Sequence, residues 1–484
     1  MVQSDSILIS IILGFNIAIL IYFVAINGNY FVLLVISYFS MLRYRRHIEH
    51  EQWQRIIQSP LTIPVSIIVP AYNEELTIEE SVKSLLMLEY PEFEVIVVND
   101  GSADNTLGKL ETSFNLHPIP ADIEEKVPCQ QILGLYRSPD NPSLVAADKI
   151  NGGKADALNA GINVSRYPVI CAIDADSLIE GGALLRVTKP FLERPGKTVA
   201  VGGIVRVANG CTIEAGSVLH VGLSRAWLPL IQAVEYLRAF LFGRSGWSAL
   251  NSLLIISGAF GIFRKDVVIA VGGYRRGSLA EDVELVVRMH RYLREQRREY
   301  EMRFLSDPVC WTEVPESLSI LGRQRNRWQR GLIDSLRIHR RMMLNPRYGI
   351  IGMVAFPYFV FFEMLAPVVE LLGYIIVPIS YALGMVDFSF FALFLTVAIL
   401  IGVILSTGAV VLEELFYRRY PKTSDIVRLV AAAFLENFGY RQLTVWWRVK
   451  AFWDYFTGKT AWGKMERKGF IKTLGGRSDS NRCI

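Results

Sequence analysis

The chain has 484 residues, of which 51% are hydrophobic and 20% charged, too apolar for a disordered or fibrous protein and too charged for a bare bundle of spanning helices. Lys plus Arg number 51 against 46 Asp plus Glu, an excess of +5 that makes no case for nucleic acid. The five cysteines are scattered without a CxxC pair, which excludes a zinc site and a disulfide framework.

Residues 7–26 form a run of 20 without a charge, enough to cross ~30 Å of hydrocarbon as a helix. No basic stretch precedes it and no small-residue cleavage site follows, so it reads as a spanning segment and not as a signal peptide. Asn27, Gly28 and Asn29 interrupt the run, and residues 30–42 are apolar again, either a short return span or the continuation of a bent helix. Arg43, Arg45 and Arg46 then put the following domain on the cytoplasmic side. The expected organisation is N-terminal membrane segment(s) over 1–45 and a cytoplasmic domain over 46–345.

Within that domain, β-rich runs alternate with amphipathic stretches. Residues 65–69 predict a strand that ends in Pro70, Ala71, Tyr72, Asn73 and Glu74, with Asn73 capping a helix that buries Ile78, Val82, Leu85 and Leu86. Residues 94–98 predict a second strand, running into Asn99, Asp100, Gly101 and Ser102. Residues 114–148 carry five prolines and read as a loop-rich insertion around a short strand at 132–136. A helix is expected over 154–164, strands over 169–173 and 199–207, and a helix over 283–294. This alternation predicts an α/β domain with a parallel sheet, in which ligands bind beyond the carboxyl ends of the strands.

Residues 349–412 contain only three charges, Glu363, Glu370 and Asp387, and hold two or three helices with prolines at 357, 367 and 378. A more polar candidate runs over 426–447 with Arg428, Glu436 and Arg441; residues 448–484 then carry nine basic against three acidic residues. We therefore expect C-terminal transmembrane helices over 346–447, a basic cytoplasmic tail over 448–484, and four crossings between domain and tail. Glu363 and Glu370, two turns apart, should share a face that looks into protein or water: a polar path for a hydrophilic product, or interfacial carboxylates with no such role.

Five features of the domain could carry chemistry. Asp174 and Asp176, spaced i, i+2 beyond a buried strand, can face one divalent cation while a diphosphate supplies further oxygens, which suits Mg2+ or Mn2+. Asp100 at a strand exit can accept from a base or ribose, or simply form an Asx-turn. Lys154 follows Gly152 and Gly153 at a helix start, where backbone donors and a point charge favour a diphosphate. Asp282, beside Glu281, opens a helix and becomes a general base if its pocket raises its pKa. Gln324, Arg325, Asn326, Arg327 and Trp328 concentrate donors and a flat ring that suit a leaving diphosphate and a sugar face. Just downstream, residues 328–345 read as a basic interfacial helix.

In this order and spacing, these residues resemble the motifs of family 2 glycosyltransferases, in particular the membrane-embedded synthases of cellulose, hyaluronan, chitin oligomers and poly-N-acetylglucosamine. The resemblance covers most of residues 60–345. It implies a GT-A type (nucleotide-diphospho-sugar transferase) domain with a mixed, mostly parallel sheet, flanked by transmembrane helices. It also implies that Pro70, Tyr72 and Glu74 line the nucleotide pocket, Asp100 holds uracil or ribose, and Lys154 touches the donor. Asp174 and Asp176 would hold the diphosphate and its metal, with Asp282 the catalytic base. Gln324, Arg327 and Trp328 would close over diphosphate and acceptor, while Arg325 falls at a position the family pattern leaves variable. Residues 257–261 sit where such enzymes place a small-residue acceptor loop.

The expected function is inverting transfer from a nucleotide sugar, a UDP-sugar first, to a growing β-linked polysaccharide at the cell membrane, with possible coupling to translocation. The alternative is a single transfer to a lipid or polyprenyl phosphate. The expected partners are the nucleotide-sugar donor, a glycan or glycolipid acceptor and the bilayer, with no nucleic acid.

Overall fold

The computed structural model describes residues 2–48, 62–214 and 216–459. Strands β1 (Val65–Ala71), β2 (Phe93–Asp100), β3 (His117–Ile119), β4 (Ile132–Arg137), β5 (Leu144–Lys149), β6 (Val169–Ala172), β7 (Ser177–Ile179), β8 (Thr198–Val207), β11 (Gly261–Arg264) and β12 (Glu301–Thr312) build one sheet, while β9 (Thr212–Glu214) and β10 (Ser217–His220) form a separate hairpin. The sheet order is β3-β4-β5-β2-β1-β6-β11-β8-β12-β7. Strands β5, β2, β1 and β6 pair in parallel, as do β8 and β12, while β4, β11 and β7 run against their neighbours. The sheet is therefore mixed, with mostly parallel strands. Its central strands are continuous apolar runs because both faces are covered; Val65, Ile67, Ile68, Val95, Ile96, Val97 and Val199 are fully buried.

The stretch expected as an insertion over 114–148 is more regular than predicted. It contributes β3, β4 and β5, and β5 pairs in parallel with β2. Asn73 does not cap a helix. It adopts φ +56, and its Oδ1 accepts from the Ala103 amide at 2.8 Å, so it ties the β1 exit loop to the β2 exit loop; the helix begins later, at Ile78.

The N-terminal helix is continuous over Val2–Ile48 and runs straight through Asn27, Gly28 and Asn29. The asparagine amides are satisfied locally: Asn27 donates to the Phe23 carbonyl at 2.8 Å and to Val397 at 3.2 Å, and Asn29 to Ala25 at 2.7 Å. Of the two readings of residues 30–42, the continuation of the first helix is the one the structure shows, and that helix runs past the expected boundary at 45 to Ile48. Two described helices, Ser10–Arg46 and Phe388–Phe416, are long and apolar enough to cross a membrane. A third candidate is the pair Ile351–Met364 and Ala366–Ala382, bent by 42° where Pro367 stands at the start of the second helix. After the domain, then, the described residues offer one unbroken helix and one bent pair in place of four crossings. The polar candidate at 426–447 is divided by Gly439 (φ +87) into Thr423–Leu435 and Tyr440–Phe456, and the second helix crosses the expected tail boundary at 448. Residues 460–484 of that tail lie outside the described residues.

Domain and helices are joined by ion pairs, one of them fully buried. Arg206 on β8 pairs with Glu413 of the helix Ile401–Phe416 at 2.6 Å, both at most 2% exposed. Arg419 makes a two-pronged contact with Glu180 at 2.8 and 3.2 Å, and Arg238 pairs with Glu436.

Candidate active site

The exit loops of β1, β2, β5 and β6 open on one cavity of about 2900 Å3. Pro70, Tyr72, Glu74, Asp100, Lys154, Asp174, Asp176, Asp282, Gln324, Arg327 and Trp328 all line it. On the nucleotide side, the two strand-exit loops clamp one another. Ser102 Oγ lies 3.0 Å from the Asn73 amide and accepts from it, and Thr106 Oγ1 accepts from the Glu74 amide at 2.9 Å. Glu74 is buried and accepts from the Thr77 hydroxyl at 2.7 Å, whereas Tyr72 is half-exposed toward the opening.

Asp100 is 2% exposed, and its carboxylate faces inward. It accepts from the amides of Gly152 at 3.0 Å and Gly153 at 2.8 Å and pairs with Lys149, which also pairs with the buried Asp156 at 2.7 Å. The amides ahead of the helix Lys154–Val164, expected to meet a diphosphate, are therefore occupied by a protein carboxylate. Gly153 sits at φ +87, a conformation that lets the chain turn under Asp100 into the helix. Lys149 and Asp156 are not among the positions the sequence pattern singles out; a lysine closing a buried strand, followed seven residues later by an aspartate in a helix, is the signal that could have found them.

Lys154 is the hub of the catalytic end. Its Nζ reaches Asp174 Oδ1 at 2.5 Å and Glu281 Oε1 at 3.1 Å. Burial alone would lower its pKa, but Asp174, Glu281 and Asp282 together outweigh burial and raise it, so the ammonium stays charged. Asp282 lies alongside: Oδ2 accepts from the Gly258 amide at 2.9 Å and Oδ1 from the Val283 amide at 2.8 Å. Gly258 allows this approach, because a Cβ there would stand 3.0 Å from Lys154 Nζ and 3.5 Å from Asp282 Oδ2. Burial and then Glu281 push the Asp282 carboxyl above its ordinary value, against the pull of Lys154 and the two amides. Arg244 also lines this end, with its guanidinium 3.7 Å from the Phe240 ring centre. Burial drives it down to about 10 while Asp282 pulls it up, and its Nη1 has no hydrogen-bond partner among the described residues.

Asp174 and Asp176 are half-buried on the same wall, with Asp176 Oδ1 3.5 Å from the Ser177 hydroxyl. Among the described residues, no three His, Cys, Asp or Glu side chains are grouped to hold a metal by themselves. Two carboxylates lining an open cavity fit a hard cation that takes its remaining oxygens from a ligand and water.

Another wall is the helix Leu318–Ile338, which carries Gln324, Arg327 and Trp328 and takes in the first half of the stretch expected as an interfacial helix; it ends at Ile338, and Arg340 and Arg341 fall in a separate short turn, Arg340–Met342. Gln324 Oε1 is buried without a partner among the described residues, and Trp328 is 41% exposed. Arg325 braces this wall. It pairs with Glu235 at 2.6 Å and lies 4.4 Å over the Trp328 ring, while the Tyr440 hydroxyl donates to the same Glu235 at 2.7 Å. The helix Tyr440–Phe456 backs the wall through Asn326–Asp454 at 2.9 Å and Arg448–Gln329 at 2.8 Å.

The cavity continues among the apolar helices. Tyr30, Glu363, Glu370, Arg441 and Arg448 line it. Glu363 accepts from the Tyr30 hydroxyl at 2.9 Å, and Glu370 faces Arg441 at 3.5 Å. The two glutamates lie on either side of the 42° bend, yet both face this space.

Sequence comparison matches residues 66–124 to the family described as glycosyl transferase family 2 and residues 135–331 to glycosyltransferase-like family 2. The chain belongs to glycosyltransferase family 2. Among curated proteins it is similar to the poly-beta-1,6-N-acetyl-D-glucosamine synthase of Staphylococcus epidermidis, with 30% identity over 268 residues, 55% of this chain and 54% of the relative. The enzyme of the same name from Staphylococcus aureus strain COL is 29% identical over 270 residues, again 55% and 54%. The chain's match thus spans about half the length of these relatives. Among solved structures it is similar to a mannosyltransferase from Pyrobaculum calidifontis in complex with GDP-Man and Mn2+, at 18% identity, TM-score 0.48, and 86% and 99% coverage of the two chains. Residues 1–349 of TarS from S. aureus align at 17% identity and TM-score 0.39, covering 78% of this chain and 92% of that one.

Proposed function

We propose that this glycosyltransferase is an inverting polysaccharide synthase that extends a β-linked glycan from a nucleotide sugar at the cytoplasmic face of a multi-pass membrane region and passes the product between its own helices. The observation that carries this reading is the single cavity that runs from Pro70, Tyr72 and Glu74, past Asp174, Lys154, Asp282 and Trp328, to Tyr30, Glu363 and Glu370. A single transfer to a surface lipid needs no such continuation. The staphylococcal relatives' name makes UDP-N-acetylglucosamine the first donor to test.

In this mechanism the nucleotide lies against the β1 and β2 exit loops, with Asp100 shaping the pocket from below. Asp174 and Asp176 would hold Mg2+ or Mn2+, which would supply positive charge beside a diphosphate. Lys154, Arg327 and Gln324 add donors toward the same group. Asp282 takes the proton from the acceptor hydroxyl, whose oxygen bonds to the anomeric carbon as the bond from that carbon to the diphosphate oxygen breaks on the opposite face. The electron pair leaves with the diphosphate, so an α-linked donor yields a β-glycoside. Trp328, held flat by Arg325, offers its ring to the acceptor sugar.

The test is release of nucleoside diphosphate by the full chain in lipid nanodiscs across a panel of nucleotide sugars, with and without a chelator, and with the product sized by mass spectrometry. Long polymer from one sugar, lost on chelation, is the expected result. One sugar added to a lipid would replace synthesis with single transfer, and no release from any donor would overturn both.

A further inference from the structure

A second cavity, of about 1560 Å3, lies away from the catalytic one, where the N-terminal helix leaves its apolar stretch. Its walls are basic. Three carboxylates line it, and each is already matched: Glu193 by Lys189 at 3.2 Å, Glu299 by Lys197 at 2.5 Å, and Glu301 by Arg194 at 2.9 Å. Arg43, Arg297, Arg298 and Arg347 line it too, all exposed and without a carboxylate at ion-pair distance among the described residues. Arg294 lies 5.6 Å from the Tyr300 ring centre with its Nε buried and unpartnered. Four cations from three separate elements line one cavity, none of them in an ion pair among the described residues, an arrangement that costs self-repulsion unless an anion joins them.

The position says which anion. Arg43 closes the apolar helix Ser10–Arg46, and Arg347 stands four residues before the bent apolar pair that begins at Ile351. Arg45 donates to the Leu415 carbonyl at 3.1 Å, so the ends of both unbroken candidate spans meet at this level. Close in the chain to these cations stand exposed apolar side chains: Phe39, four residues before Arg43, is 62% exposed, Leu344, three before Arg347, 57%, and Val354, in the helix that follows, 49%. A soluble phosphate has no use for that flank, whereas acyl chains do.

We propose that this cleft binds the headgroup of an anionic phospholipid, its phosphate among Arg43, Arg297, Arg298 and Arg347 and its chains along Phe39 and Val354. The site rests on the reading that these helices cross a bilayer, and it lies outside the transfer chemistry.

The test uses the full chain in vesicles of phosphatidylcholine with a minority of phosphatidylglycerol, followed by native mass spectrometry of retained lipid. Phosphatidylglycerol should be retained well above its share, and each arginine removed should weaken retention about fivefold. The double variant Arg297→Ala/Arg298→Ala should therefore lose most of it while keeping the parent's thermal midpoint, since both residues are exposed. Retention in proportion to vesicle composition, or retention unchanged in the double variant, would overturn the site. Calorimetric binding of inorganic pyrophosphate by the parent in pure phosphatidylcholine, abolished in the double variant and unaccompanied by lipid selectivity, would assign the cleft to a soluble phosphate instead. A chain that does not enter vesicles at all would overturn the membrane reading and not merely the site.

Discussion

Replacing Asp282 by Asn tests the assignment of the base. The carboxylate is half-buried, accepts from the Gly258 amide at 2.9 Å and the Val283 amide at 2.8 Å, and is raised above its ordinary value by desolvation and by Glu281. In Asn the Oδ1 keeps one of these bonds and the Nδ2 turns a donor toward the other amide, a loss of about 1–3 kcal/mol. The same change removes a half-buried negative charge. A carboxyl raised on folding favours the native state fully below its unfolded pKa, and that advantage disappears as pH rises through the folded pKa, so above the folded pKa the ionised Asp282 is a burden that Asn lifts. The two effects oppose each other, and the thermal midpoint should stay close to the parent's. The chemical step has no such compensation: a positioned base contributes roughly 10²–10⁴-fold, or about 3–5 kcal/mol of barrier. Diphosphate release with the preferred donor and acceptor, measured beside thermal unfolding in nanodiscs, separates the two. A folded variant that keeps more than about a tenth of the parent rate would remove Asp282 from the role of base.

Three further outcomes follow from neighbouring contacts. Glu281→Gln removes the carboxylate that raises Asp282, so the acid limb of kcat/KM should move to lower pH; a limb that stays put or moves up would separate that limb from Asp282. Arg325→Lys cannot keep both the Glu235 pair and the planar contact with Trp328, about 1–2 kcal/mol of positioning, so kcat/KM should fall roughly tenfold with the fold retained. Glu413→Gln strands Arg206 in a site at most 2% exposed and should destabilise by ~3–5 kcal/mol; the double variant Arg206→Met/Glu413→Leu should regain most of that loss in thermal unfolding, and its failure to do so would refute a simple pair.

Much of the domain is legible in the sequence because a strand buried on both faces must be a continuous apolar run. Residues 65–69, 94–98, 169–173 and 199–207 all read that way, and each forms a strand of the sheet. Strand β5 is hidden because Leu144–Lys149 contains Ala146, Ala147, Asp148 and Lys149, residues with little strand preference of their own. It is a strand because β2 offers it a parallel ladder, a fact of tertiary pairing. The helix at 2–48 misleads for the opposite reason: Asn27 and Asn29 look like breakers, but both amides find carbonyls one turn back.

The candidate site divides along the same line. Its residue types are legible because strand ends put Asp100, Asp174 and Asp176 where ligands bind, and all eleven expected positions line one cavity. Their partners are not, because each lies far along the chain. Asp100 is tied to amides at 152 and 153, so the helix start that looks ready for phosphate is already capped by protein. Arg325, at a position the family pattern leaves open, is what orients Trp328, and only Glu235, ninety residues earlier, makes that visible. Glu363 and Glu370 show the limit most clearly. Spacing alone places two carboxylates on one face and cannot choose between a path and an idle boundary. Glu363 accepts from the Tyr30 hydroxyl and Glu370 is set against Arg441 in a wall that also faces open space, so a hydrophilic chain passing them would meet carboxylates already held by protein partners.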